Sequence, residues 1–328
     1  MSPSFLITID TEGDDLWSQP RHASTRNARF LPRFQALCER YRLKPTYLTN
    51  YEMACAPEFV EFARDAIGRG QGEVGMHLHA WHSPPAHELT GDDANTQPYL
   101  IEYPEEVMRA KVRAMTDVLE QTFAVKMTSH RAGRWGFDAR YARLLLDHGY
   151  VVDCSVTPHV SWRSCPGDPS RDGGPDYSAF PEHAYWLDPS DISRPGPRGL
   201  LELPVTVRPR ARLWHTLAGE SEPDGSSQRL RTLRGKLDRV WPSYVWLRPT
   251  RRNRREMRWV VAEVLRNGEA YAEFMLHSSE LMPGGSPNFR DERDIERLYD
   301  DLESLFAFAS ERFVGRTLTE HYALVAAQ

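Results

Sequence analysis

Four cysteines in 328 residues, Cys38, Cys55, Cys154 and Cys165, stand far apart with no CxxC pair. That spacing offers no disulfide framework, and Cys38 falls on an apolar helical position, so the thiols are expected to be reduced. No apolar run is long enough to cross a bilayer. The opening MSPSFLITIDTEG has no basic leader and reaches acids after a very short apolar stretch, which fits neither a signal peptide nor a membrane span. The expected location is the cytoplasm. Excess positive charge is missing too: the net charge of −5 gives no global pull towards nucleic acid or anionic membranes. No nucleic-acid partner is expected. There is no internal repeat, and the glycines of RAGRWG and MPGG fit neither a strand-GxGxxG-helix nor a GKS/T pattern, so they read as turn residues rather than phosphate cradles.

What remains is a soluble globular composition, 40% apolar and 27% charged, in a chain long enough for one large α/β barrel or two ordinary domains. Strand and helix patterns alternate. FLITID (5–10), PTYLTN (45–50), EVGMHLH (73–79), KMTSHRA (126–132) and YVVDCSV (150–156) read as strands; 27–41, 57–67, 104–123 and 137–148 read as helices. LLELPVT, a helix over 254–267, the strand YAEFMLH (271–277) and a helix over 291–313 continue the series. So many strand-helix units predict a parallel sheet closed, or nearly closed, into a single (β/α) barrel domain over 1–328, with functional groups at the strand C-terminal ends. Two insertions interrupt it, at about 157–199 and 208–253. The first is rich in Pro, Gly, Ser and Asp with embedded aromatics such as Trp162, and reads as a long loop over the barrel mouth. The second leads into a basic run, 229–258.

The unusual residues do fall at strand ends. His77 and His79 share a face of one strand, with Cβ atoms ~7 Å apart, so their imidazoles can converge on one ion. His82 lies beyond the strand and needs the turn at SPP (83–85) to join them. A third ligand, a carboxylate, is expected from IDTEGDD, where Asp10 and Glu12 share a face at the end of a buried strand. Arg131 ends the fourth strand, Asp153 lies in the next and His277 ends a late one. Trp17, Trp81, Trp135 and Trp186 flank these motifs and offer aromatic faces suited to sugar rings.

In order along the chain, Asp-x-Glu after the first strand, EVGMHLH, SHRAGRWG (129–136), DCSVTP (153–158) and MLHSSELMPGG (275–285) resemble the polysaccharide deacetylase family, the NodB-homology superfamily of metal-dependent carbohydrate deacetylases. The resemblance implies a distorted (β/α) barrel. It implies Asp10 as catalytic base, Glu12, His77 and His79 as metal ligands, Arg131 as the residue that orients the base and His277 as general acid. The chain departs from the family pattern in two places: Glu12 stands where a second aspartate is usual, and Trp81 stands four residues after His77, where the second histidine is usual. His82 and Asp14 are therefore alternative ligands.

The expected reaction is removal of an N-acetyl or related acyl group from an amino sugar, in a polysaccharide or a glycan precursor. A divalent ion, Zn2+ first with Co2+ or Ni2+ as alternatives, would polarise the carbonyl and acidify water, while an acid protonates the leaving nitrogen. Two other readings stay open: a glycosidase working through paired carboxylates on the same barrel, and a glycan-binding protein without catalysis. The basic run 229–258 adds an expected peripheral contact with anionic membrane.

Overall fold

All eight residues of SFLITIDT are buried, which requires cover on both faces of the strand they form. This strand, β1 (Ser4–Thr11), is central in a mostly parallel sheet whose order is β11-β1-β2-β3-β4-β5-β8-β6-β7. The computed structural model describes residues 2–14, 23–165, 167, 173–210 and 244–328. Trp17 and residues 211–243, which hold the first half of the basic run, lie outside the described residues. The parallel strands are β1, β2 (Pro45–Thr49), β3 (Glu73–Leu78), β4 (Ser129–Ala132), β5 (Val152–Asp153), β8 (Leu201–Glu202) and β11 (Tyr271–His277). β12 (Val314–Arg316) pairs with Ser4–Leu6, leaving Ile7–Thr11 of the same strand to β2.

Helices cover the outside, and local signals set their ends. Pro32 and Pro57 open α1 (Leu31–Arg40) and α2 (Pro57–Gly68), where a missing N–H costs nothing. Glu105 and Glu106 favour the first turn of α3 (Glu105–Phe123). Asp138 and Asp291 cap α4 (Ala139–Asp147) and α6 (Glu292–Ser310) by accepting from the N–H of Tyr141 and Asp294. α5 (Arg254–Arg266) precedes β11. A Thr317/Glu320 capping box starts α7 (Leu318–Ala326).

The period of two divides the sheet into two cores. Phe5, Ile7, Ile9, Phe274 and Leu276 point to the helical layer, whereas Leu6, Leu48, Cys154, Leu203 and Tyr271 point inward. Leu318, Tyr322 and Val325 of α7 pack on this inner cluster and close one end. Between β8 and β11 the ring is bridged by single hydrogen bonds rather than by a ladder: Leu247 N donates to Thr206 O (2.9 Å) and Met275 N to Leu247 O (3.2 Å). The expected barrel is thus a curled sheet with an irregular seam. Of the expected strand LLELPVT (200–206), Leu201–Glu202 forms β8, which stops short of Pro204, a residue without an N–H; β9 (Val207–Pro209) begins just beyond that stretch and, among the described residues, pairs with β10 (Tyr244–Trp246). The segment 157–199 is not loop throughout: β6 (Tyr185–Asp188) and β7 (Asp191–Pro195) form an antiparallel hairpin on the edge of β8.

Candidate functional site

The inward row of β1 runs Leu6, Thr8, Asp10 and ends at the strand's C-terminal mouth. Parallel register places Asp10 beside His277 and His77 beside Arg131, so four of the expected residues share one face of the sheet. Glu12 and His79 lie just beyond their strands. The His77 and His79 rings are 4.8 Å apart. Glu12 Oε2 is 3.0 Å from His79 Nε2, its Oε1 3.9 Å from His77 Nε2, and Oε1 also 3.5 Å from His277 Nε2. His277 Nε2 is 3.7 Å from Asp10 Oδ2. Glu12, His77 and His79 therefore form a buried group with the composition and spacing to hold a metal ion. Two ligands each ~2.0–2.1 Å from one ion stand ~3–4 Å apart, as these donor atoms do.

The surroundings fix protonation as well as position. His77 Nδ1 donates to the Arg131 carbonyl (2.9 Å), so its Nε2 keeps a lone pair towards Glu12. Burial pushes the His77 pKa down to about 4, which keeps the ring neutral. Burial would raise the Asp10 and Glu12 carboxyls; their polar partners outweigh it, and both are held below the ordinary carboxylate range, Asp10 chiefly by the Arg131 guanidinium and Glu12 chiefly by its contact with His79. Arg131 is fully buried and has four acceptors. Nη1 donates to Asp10 Oδ1 (2.5 Å), Nε to Cys154 O (3.1 Å), and Nη2 to Thr8 Oγ1 (2.9 Å) and to Glu273. Burial would lower the His277 pKa; Glu280, Glu12 and Asp10 together raise it, with the Glu280 contact foremost.

These groups open into a cavity of about 270 Å³ whose other walls are Trp81, Tyr99, Arg134, Trp135, Trp162, Cys165 and Arg248. Trp135 and Trp162 stack with centroids 6.3 Å apart. A neutral His77 imidazole, ionised carboxylates and a histidine with a raised pKa around one aromatic-walled cavity make an arrangement that can hold a cation, take a proton on one side and give one on the other.

Comparison with solved structures bears on the fold. A protein from Mycobacterium smegmatis, provisionally described as a polysaccharide deacetylase, is 15% identical and superposes with a TM-score of 0.54 over 100% of this chain and 94% of its own. The fold is that of the polysaccharide deacetylases. A Parabacteroides distasonis protein provisionally described as a glycoside hydrolase/deacetylase gives 0.61 at 11% identity, over 100% of this chain and 72% of that one. The 4-alpha-glucanotransferase of Thermococcus litoralis gives 0.51 at 12% identity, over 98% of this chain and 38% of that one. At such identities the fold is shared and the reaction is left to the site. No protein-family model and no curated protein matches the sequence.

Within this deacetylase fold several expected residues lie elsewhere. His82 pairs with Glu52 at 2.5 Å and does not join His77 and His79. Asp14 ties down the loop after β1 by accepting from Ser24 Oγ, Arg26 and Asn27, and stands outside the group formed by Glu12, His77 and His79. Asp153 faces the helical layer, where His130 Nδ1 is 2.6 Å from it and His130 Nε2 is 2.8 Å from the Tyr141 hydroxyl. Trp186 packs on Tyr322 of α7 and does not line the cavity. In the basic run Arg248, Arg251 and Arg254 form ion pairs with Glu280, Asp294 and Asp301. Among the described residues no helix is long and apolar enough to cross a membrane.

Sequence reasoning missed two acids. Glu273 lies on the inner face of β11 and shares Arg131 with Asp10; Glu280 accepts from the His277 N–H (2.9 Å) and stands 3.3 Å from its Nδ1. The signals were there. An acid at Glu273 inside an apolar strand matches the inward period of His277, and Glu280 follows His277 by three residues.

Proposed function

We propose that this protein is a metal-dependent hydrolase that removes an N-acetyl or related acyl group from an amino sugar, with Glu12, His77 and His79 as ligands, Asp10 as base, Arg131 orienting it and His277 as acid. One observation carries the reading: a carboxylate kept ionised by a buried arginine and a histidine with a raised pKa flank the same donor set. A divalent ion bound there, Zn2+ by the nitrogen-rich donors, supplies charge for the carbonyl oxygen and acidifies a water. Asp10 Oδ2, the oxygen not held by Arg131, takes the water proton. His277 Nε2, whose ring is braced at Nδ1 by Glu280, gives a proton to the leaving nitrogen. Trp81, Trp135 and Trp162 give the sugar ring apolar faces.

The test is metal content of the purified protein together with acetate release from N-acetylated sugars. Full activity in Asp10→Asn, or no bound metal and no gain from added Zn2+, defeats the proposal. His277→Ala should lose ~10²–10⁴-fold in kcat. The shared fold with a glucanotransferase makes reducing-end release the informative alternative product. Its appearance without acetate would mark a glycosidase.

A further inference from the structure

Two guanidinium groups line the cavity, and they differ in their partners. Arg248 is ion-paired with Glu280 at 3.1 Å. Arg134 forms no ion pair among the described residues. Its hydrogen bond is a long one, Nη1 donating to the Ala94 carbonyl at 3.4 Å. The guanidinium carries five donors, and that long bond is the one it makes to a protein acceptor among the described residues. Its Cζ lies 6.0 Å from the Trp81 ring and 5.7 Å from the Tyr99 ring, two aromatic walls of the cavity that Arg134 also lines.

The backbone that presents Arg134 is unusual. Arg134 and Trp135 both have left-handed φ values, +53° and +63°, although neither is glycine. Consecutive bulky residues in that region are strained and persist where the surroundings impose them. Both side chains line the cavity. At about 270 Å³ the cavity is at the small end of ligand pockets, room for a single sugar unit rather than several.

Building on the amino-sugar reading of this cavity, we infer that Arg134 is a recognition residue for an anionic group on the substrate, a phosphate or a carboxylate attached to the N-acylated sugar. A planar guanidinium without a carboxylate partner binds either oxyanion through two parallel hydrogen bonds.

Binding, measured by calorimetry independently of turnover, tests this. The probes are N-acetylglucosamine, N-acetylglucosamine 1-phosphate and an N-acetylated hexosaminuronate; the proteins are wild type, Arg134→Asn, whose side chain suits a left-handed residue, and Arg134→Lys. Wild type should bind one charged sugar about tenfold or more tighter than the neutral one. Which arm gains identifies the anion. That preference should collapse in Arg134→Asn and survive in part in Arg134→Lys, which keeps the charge without the fork. Equal affinities for charged and neutral sugars in wild type, or a preference untouched by either substitution, overturns the inference. Anion preference without acetate release sinks the hydrolase reading alone; acetate release without anion preference sinks this one alone.

Discussion

Glu280 grips His277 twice, accepting its backbone N–H at 2.9 Å and facing its Nδ1 at 3.3 Å, while Arg248 braces the far side of the carboxylate. Burial would raise the Glu280 pKa, but Arg248 and His277 pull it down to about 2, so it is a carboxylate throughout the working range. Its charge helps raise the pKa of His277. An acid catalyst works while protonated, so activity falls as pH rises through that pKa. Glu280→Gln removes the charge, lowers the His277 pKa and should move the alkaline limb of kcat/KM to lower pH. A limb that stays where it was would separate Glu280 from the proton transfer.

A second contact concerns the putting in place of His79. A methyl group on Gly133 would stand 2.5 Å from the Leu78 carbonyl oxygen and 2.8 Å from His79 Nδ1. The backbone oxygen is fixed by the sheet, so the imidazole is what yields. Gly133→Ala should cost ~1–3 kcal/mol by overpacking and weaken Zn2+ binding ~10–100-fold, the range seen when support around a ligand is disturbed. Gly68→Ala, with nothing within 4 Å of the added carbon, is the control and should bind Zn2+ like wild type. Calorimetric titration of the two variants decides it, and equal affinities would refute the coupling.

Glu273 should leave a mark on stability rather than on rate. Burial raises its pKa from an ordinary 4.5 to about 7, against the pull of Arg131. Between those values the folded chain holds a proton that the unfolded chain has released, so stability falls as pH rises from about 4.5 to about 7. Below 4.5 the contribution is complete; above 7 it is gone. Gln cannot titrate. The stability of Glu273→Gln relative to wild type should therefore grow across that window, by on the order of a few kcal/mol. Urea midpoints at a series of pH values measure it, and a constant difference would show that Glu273 does not titrate there.

How the sequence encodes this site follows from where its signals are local. Asp10, His77, Arg131 and His277 were legible because the strand period of two carries each to the inner face, and register then brings them together. Glu12 and His79 extend the same rows by one step. The positions of His82 and Asp14 were not legible, since their partners, Glu52 and the segment Ser24–Asn27, are chosen by loop packing. Trp186 was misjudged for a similar reason: the hairpin β6–β7 is short, falls in a stretch rich in turn residues, and carries the indole to Tyr322. Nor does a sequence of ordinary residues announce the left-handed pair at Arg134 and Trp135, because only glycine signals that conformation. The irregular seam between β8 and β11 depends on side-chain and single backbone bonds that periodicity does not describe.

The pairing of Arg131 with two acids sets the last expectation. In Arg131→Leu, Asp10 and Glu273 would remain buried without the cation that lies between them, and breaking a buried pair from one side costs ~3–5 kcal/mol. The loss should be strongly non-additive. With Glu273→Gln in the same chain, one of the two stranded carboxylates is already neutral, so the double variant should recover part of what Arg131→Leu loses. Residues that share a network couple by ~0.5–3 kcal/mol in such cycles. Chemical denaturation of wild type, the two single variants and the double gives the coupling directly. Additive losses would mean that Glu273 and Asp10 do not depend on the same guanidinium, contrary to the hydrogen bonds that join both to Arg131.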